Sequence, residues 1–212
     1  MLKKISILLF SCSLNVYADP NYVSDFADQT LNDWQTKSFK GNTQYQVIQI
    51  NTQNVLKAVS HQSASSLYKN MRIDLQKTPY LNWSWRIDKR LGMTNEQSKQ
   101  GDDFAARIYL IIKGEWFFWQ TKAINYVWSS HNAKQTTWPN PFAGENVMML
   151  ALRNNTDNTA QWYTEKRNVL ADLQQVFGEP IQYIDGIAIM TDTDNAGGNA
   201  HSYYSDIYFS EQ

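Results

Sequence analysis

From Tyr80 to Ile87 the side chains alternate: Leu81, Trp83, Trp85 and Ile87 fall on one side, Ser84 and Arg86 on the other. A period of two is the pattern of a strand with one buried face. Residues 103–112 repeat it, with Phe104, Ala106, Ile108, Leu110 and Ile112 inward. Further short runs are 45–50, 55–60, 65–74, 122–128, 147–153, 161–166, 186–191 and 203–210, bounded by Gly, Pro, Asn or Asp. Such punctuation predicts antiparallel sheets. One stretch changes period. Across 167–177 the apolar Val169, Leu170, Leu173, Val176 and Phe177 recur at helical spacing, and Gly178 and Pro180 then stop the helix. About ten strands and one embedded α-helix predict an all-β, two-sheet antiparallel β-sandwich. No internal repeat or linker interrupts residues 19–212, which read as a single domain. Its longest loops, 91–101 and 129–146, are polar and placed to flank a site.

The first 18 residues stand outside this pattern. Lys3 and Lys4 precede the apolar run from Ile5 to Phe10, and Ala18 precedes Asp19-Pro20. This is the layout of a secretory signal peptide, and the run is too short to span a bilayer. Cleavage after Ala18 is the first expectation. Lipoprotein processing at Cys12 is the rival, because Leu9-Phe10-Ser11-Cys12 loosely fits a lipobox. Cys12 is the one cysteine, so either route leaves no pair for a disulfide and no cysteine cluster for zinc. The expected address is periplasmic, outer-envelope or secreted.

Composition narrows the function. The formal charge of −1 supplies no basic field for nucleic acid. Aromatics reach 14% with eight tryptophans, while charged residues are only 18%. Trp83, Trp85 and Trp162 fall on strand faces as core candidates. Trp116, Trp119 and Trp138 fall in turns, where they either stack on sugar rings or plug the sandwich ends. The histidines, His61, His131 and His201, stand 70 residues apart and form no catalytic motif.

If Trp83, Trp85 and the 104–112 series face the core, the opposite face carries Arg86, Asp103, Arg107 and Tyr109. Asn125 lies on the polar side of its own strand, and Glu165 and Arg167 share a side near the helix. Arginine forks beside carboxylates pair well with hydroxyl-bearing ligands; the plainer reading is a solvated lattice of cross-strand ion pairs. On the ligand-face reading, Arg107→Ala leaves folding close to intact. Asp103 and Glu165 are the candidate acid/base pair for glycoside hydrolysis. Asp192 and Asp194, with Asp206 on the next strand, are candidate calcium ligands, the plainer reading being an Asx turn. Tyr203 at position twelve, counted with Asp192 as position one, excludes an EF-hand.

Several of these segments resemble the bacterial domain-of-unknown-function family numbered 3047. They are Leu81-Asn82-Trp83-Ser84-Trp85-Arg86, Gly101-Asp102-Asp103-Phe104-Ala105-Ala106-Arg107-Ile108-Tyr109 and Ile124-Asn125-Tyr126-Val127-Trp128. Glu165-Lys166-Arg167-Asn168-Val169, the run from Gly186 to Asn195 and Tyr203-Tyr204-Ser205-Asp206-Ile207 follow in order. Ala196 and Ser205 depart from the Thr and Gly expected there. A shorter likeness, Phe26-Ala27-Asp28-Gln29-Thr30-Leu31-Asn32-Asp33-Trp34, is similar to the opening of galactose-binding-like jelly rolls found in carbohydrate-binding modules. It implies a jelly-roll-like sandwich whose polar sheet face binds glycan.

The sequence therefore predicts a non-catalytic binding domain for a carbohydrate or other polar envelope ligand. Alternatives are a glycan hydrolase or lyase using Asp103 and Glu165, and an envelope assembly protein with aromatic contact loops. Intact-mass analysis of the protein from its native host is expected to show Asp19 as the first residue without lipid. A diacylated Cys12 at the N-terminus would overturn that expectation.

Overall fold

The computed structural model describes residues 21–114 and 121–212. The expected signal segment, Cys12, Trp116 and Trp119 lie outside the described residues. The strands are β1 (Asn21–Ser24), β2 (Gln35–Lys40), β3 (Gln44–Ile50), β4 (Gln53–His61), β5 (Ala64–Asp74), β6 (Tyr80–Ile87) and β7 (Arg107–Ile112). They continue with β8 (Lys122–Trp128), β9 (Thr137–Asn140), β10 (Gly144–Arg153), β11 (Tyr163–Asn168), β12 (Tyr183–Met190) and β13 (Asn199–Ser210). The helix α1 spans Val169–Phe177. Asn168 caps its start by accepting the Ala171 N–H, and Gly178 ends it with φ of 71°, a left-handed conformation that glycine adopts without steric cost.

Two sheets stack as a jelly-roll β-sandwich. One has the order β11-β6-β13-β4-β3, with β1 also on β13; the other has the order β2-β5-β12-β7-β8-β10-β9. Leu81, Trp83, Trp85 and Ile87 meet Ile108, Leu110, Ile124 and Tyr126 in the main core. Trp83 packs edge-on against Trp85 at 5.3 Å and stacks on Tyr126 at 5.4 Å.

The structure differs from the sequence reading in several places. β2 was not anticipated because all six of its residues are exposed, so it shows no alternation. β1 and β9 are four residues each, too short to show a period. β7 begins at Arg107 rather than 103. Phe104 joins Val127, Trp138, Met149 and Ala151 in a second cluster on the other side of the seven-stranded sheet. Finally, β8 and β10 pair in parallel: the chain leaves β8, forms β9 at the sheet edge, and returns through β10 between them.

Glu96 fixes that crossover. It is fully buried and accepts from Ser129 Oγ at 2.5 Å, the Ser130 N–H and Asn132 Nδ2 at 2.7 Å, so the two long polar loops are tied to one carboxylate. Gly101 lets the first loop close, because a Cβ there would lie 2.3 Å from the Asn95 carbonyl oxygen.

Tyr204 ties the sheets together. From β13 its hydroxyl crosses the core, accepts the Arg107 N–H at 3.2 Å and donates to the Met190 carbonyl at 2.9 Å. Burial pushes this phenol up to about 12, so it keeps its proton. Tyr204→Phe leaves buried groups at the ends of β7 and β12 without their partner, at a cost of about 1–3 kcal/mol. Urea unfolding is expected to show that loss as a lower midpoint with unchanged slope.

Candidate functional site

The outer face of the seven-stranded sheet carries a groove. On β12, Ile187 and Ile189 point into the core, so Gly186, Ala188 and Met190 point outward. Ala188 pairs with Tyr68 on β5 and with Tyr109 on β7. Two tyrosines thus stand two strands apart, roughly 10 Å, with a methyl group as the floor between them. The next row, Asn70-Gly186-Ile111, has no floor side chain at all. Lys37, Phe39, Ser66, Tyr68, Asn70 and Tyr109 line a cavity of about 330 Å³ here. It shares Phe39, Tyr109 and Met190 with a second cavity of about 340 Å³ toward Lys40, Arg107, Asp192 and Asp194. Shared walls make these two halves of one groove.

β2 supplies the rim. Its pairing with β5 shifts register between Ser38 and Lys40, a bulge that breaks the strict alternation of sides. Phe39 and Lys40 therefore both line the groove. Phe39 is 61% exposed.

Arg107 closes the other end, and it is buried at 3% exposure. Its Nη2 donates to Asp192 Oδ2 at 2.6 Å, Asp102 Oδ2 lies 3.9 Å from Nη1, and the rings of Phe104 and Tyr109 flank the guanidinium. Asn140 Nδ2 donates to both oxygens of Asp102. Burial pushes Asp192 and Asp102 upward while Arg107 pulls both down. Burial also lowers Arg107, but Asp192 and its neighbours more than offset this and hold the guanidinium charged.

The expected polar face is divided among three places. Arg107 and Asn125 lie on the outer side of the seven-stranded sheet. Asn125 is fully buried, and its amide has no hydrogen-bond partner among the described residues. Asp103 stands beside Arg107 at the loop before β7, where it accepts the N–H groups of Asn195 and Ala196 at 3.0 and 2.6 Å. Arg86 is on the outer side of the other sheet, paired with Asp88 at 2.9 Å and stacked over Tyr203. Glu165 and Arg167 do share a side, but it is the inward one, since they pair in register with Trp83 and Leu81. Glu165 accepts from Trp85 Nε1 and Arg153 Nε, and Arg167 donates to Asp172, which also accepts the Tyr126 hydroxyl. These two residues link β11 to its neighbours across the sandwich edge.

Of the calcium candidates, Asp192 and Asp194 come together with Asp103, their carboxylate oxygens within 4.8 Å. Asp206 is elsewhere: at φ of 52° in a bulge of β13 it accepts from Gln53. Hard oxygens suit calcium. Here Arg107 engages Asp192 and two backbone amides engage Asp103, so a cation at this cluster would compete with the guanidinium for Asp192.

The residues missed from sequence are Phe39, Tyr68, Asn70 and Ala188. The outward row Gly186, Ala188 was a usable signal, because two small residues on one face of a central strand make a depression.

Residues 32–208 match the family described as "Protein of unknown function (DUF3047)". The chain belongs to this family. No match was found among curated proteins. Among solved structures, the DUF3047 chain is similar to the family 11 carbohydrate-binding module of the cellulosomal cellulase Lic26A-Cel5E of Clostridium thermocellum. They are 11% identical with a TM-score of 0.51, covering 91% of this chain and 94% of that one. It is also similar to the cellulose induced protein Cip1, at 10% identity and a TM-score of 0.51, covering 89% and 96%. At such identity the likeness shows the β-sandwich fold.

The burial of Arg107 reverses the expectation that Arg107→Ala leaves folding intact. Asp192→Ala strands a buried guanidinium and is expected to cost about 3–5 kcal/mol, whereas Arg107→Met with Asp192→Leu recovers much of it. Denaturant titrations of both variants of this DUF3047 protein check the pair. Equal stabilities would show that Arg107 is solvated.

Proposed function

We propose that this protein is a non-catalytic carbohydrate-binding domain of the cell envelope or exterior, seating a glycan in the groove of the seven-stranded sheet. The observation that carries this reading is the row Tyr68-Ala188-Tyr109. A pyranose ring has apolar C–H faces that pack on aromatic rings, and two tyrosines across a low floor offer walls for one ring. Asn70 and Ser66 beside them supply hydrogen-bonding groups for its hydroxyls. The fold likeness to carbohydrate-binding modules adds support by analogy alone. The leader pattern in residues 1–18 supports the location.

The hydrolase reading has less support. Glycoside hydrolysis needs two carboxylates flanking one bond, ~5 to 10 Å apart. Asp103 is held by loop amides and Glu165 by Trp85 and Arg153. The small cavity that Asp103 lines is formed with Leu91, Gly92, Thr94, Ala196 and Gly197, and Glu165 is not part of its lining. For the assembly reading, Trp138 is buried rather than presented. Among the described residues no helix is long and apolar enough to cross a membrane.

Affinity electrophoresis against a panel of soluble polysaccharides tests the groove. Tyr68→Ala and Tyr109→Ala are each expected to weaken binding about tenfold or more, near 1.4 kcal/mol. Ala188→Leu fills the slot and abolishes binding while the melting midpoint stays within about 4 °C of wild type. If no polysaccharide retards the wild type, or the three variants bind as it does, the reading is wrong.

A further inference from the structure

The groove is not electrically neutral along its length. In the half built on Tyr68-Ala188-Tyr109, Lys37 is the one charged side chain among the lining residues, and no carboxylate lines it. Lys37 Nζ lies 5.5 Å from the Phe39 ring, which keeps the ammonium over the rim. It forms no ion pair among the described residues.

In the other half the charges are Lys40, Arg107, Asp192 and Asp194. Arg107 and Asp192 neutralise each other at 2.6 Å. Lys40 donates to the backbone carbonyl of Asp194 at 2.8 Å rather than to a carboxylate. Asp194 is the acid at this end, and burial raises its pKa, a shift increased by Asp103 and opposed by Lys40. The half with the aromatic slot therefore presents one ammonium, while the acids are gathered at the far wall. A protein with net charge −1 creates no general field for anions, so any preference for them arises locally.

The geometry points to an acidic sugar as the ligand: a residue stacked between Tyr68 and Tyr109 with its carboxylate or sulfate on Lys37. This inference rests on the groove reading above and adds the class of glycan to it. A lysine ammonium is a compact point charge on a flexible stem, able to follow a carboxylate whose position varies with the linkage. Charge-assisted hydrogen bonds of this kind are about twice as strong as neutral ones.

Calorimetry with the whole protein decides it, using four probes: an oligogalacturonate, its methyl ester, a sulfated oligosaccharide and a neutral oligosaccharide of equal length. The methyl ester keeps the backbone and removes the charge. The acid is expected to bind at least about fivefold more tightly than its ester at low salt, with the gap narrowing as salt rises. Lys37→Gln is expected to erase the gap and leave the affinity for the ester unchanged, and Lys37→Arg to keep it. The sulfated probe, if tighter than the uronate, assigns sulfate as the anionic group. Equal affinity of the wild type for acid and ester overturns the inference and leaves the groove reading standing, as does a gap that survives Lys37→Gln. Binding of none of the four overturns both.

Discussion

A buried guanidinium constrains this molecule more than any other group. Taking a charge out of water costs several kcal/mol even after relaxation, so Arg107 at 3% exposure demands that its surroundings be built around it. Asp192 has to stand at hydrogen-bonding distance, which requires the end of β12 to be fixed. Tyr204 and Thr191 do that from inside the sandwich, with the Thr191 hydroxyl donating to the Ala105 carbonyl and meeting Ser202 Oγ at 2.6 Å. Asp102 has to lie close, and Asn140 at the end of β9 holds it. Asp103 then gathers the following loop through the amides of residues 195 and 196. One charge thereby organises three separate chain segments into a single wall.

That wall gives the groove its character. Ligand binding is weakened by whatever must be ordered on association, and little needs ordering here. The floor is backbone, a methyl group and a methionine on a central strand. Tyr109 is pinned by its own strand and touches Met190 through its hydroxyl at 3.5 Å, and Tyr68 donates to Gln35 at 2.6 Å. The rim on β2 is the softer side, with every residue exposed.

Much of the fold was legible because its central strands obey strict alternation. Tyr80–Ile87 and Lys122–Trp128 were read to the residue, and Arg107 and Asn125 were placed on the correct side of their strands. Alternation states which side a residue takes, but not which sheet its strand joins. Arg86 and Arg107 therefore looked like neighbours although they belong to different sheets. Glu165 and Arg167 were placed together with the polar face, whereas register with Trp83 and Leu81 turns both inward. Phe39 and Tyr68 escaped notice for a different reason. A groove on an open face is made by what is missing from its floor, and an exposed edge strand carries no hydrophobic period to announce it.

The bulge in β2 has a consequence beyond the groove. Among the described residues β2 is the last strand of its sheet, and such an edge offers unpaired backbone groups on which another chain can add a strand. Phe39, more than half exposed, would make that addition attractive. The shifted register between Ser38 and Lys40 breaks the straight ladder that an incoming strand needs, and two lysines on six residues repel a second copy of the same edge. The rim that shapes the groove thus also opposes edge-to-edge pairing, so straightening it endangers solubility before it endangers the fold.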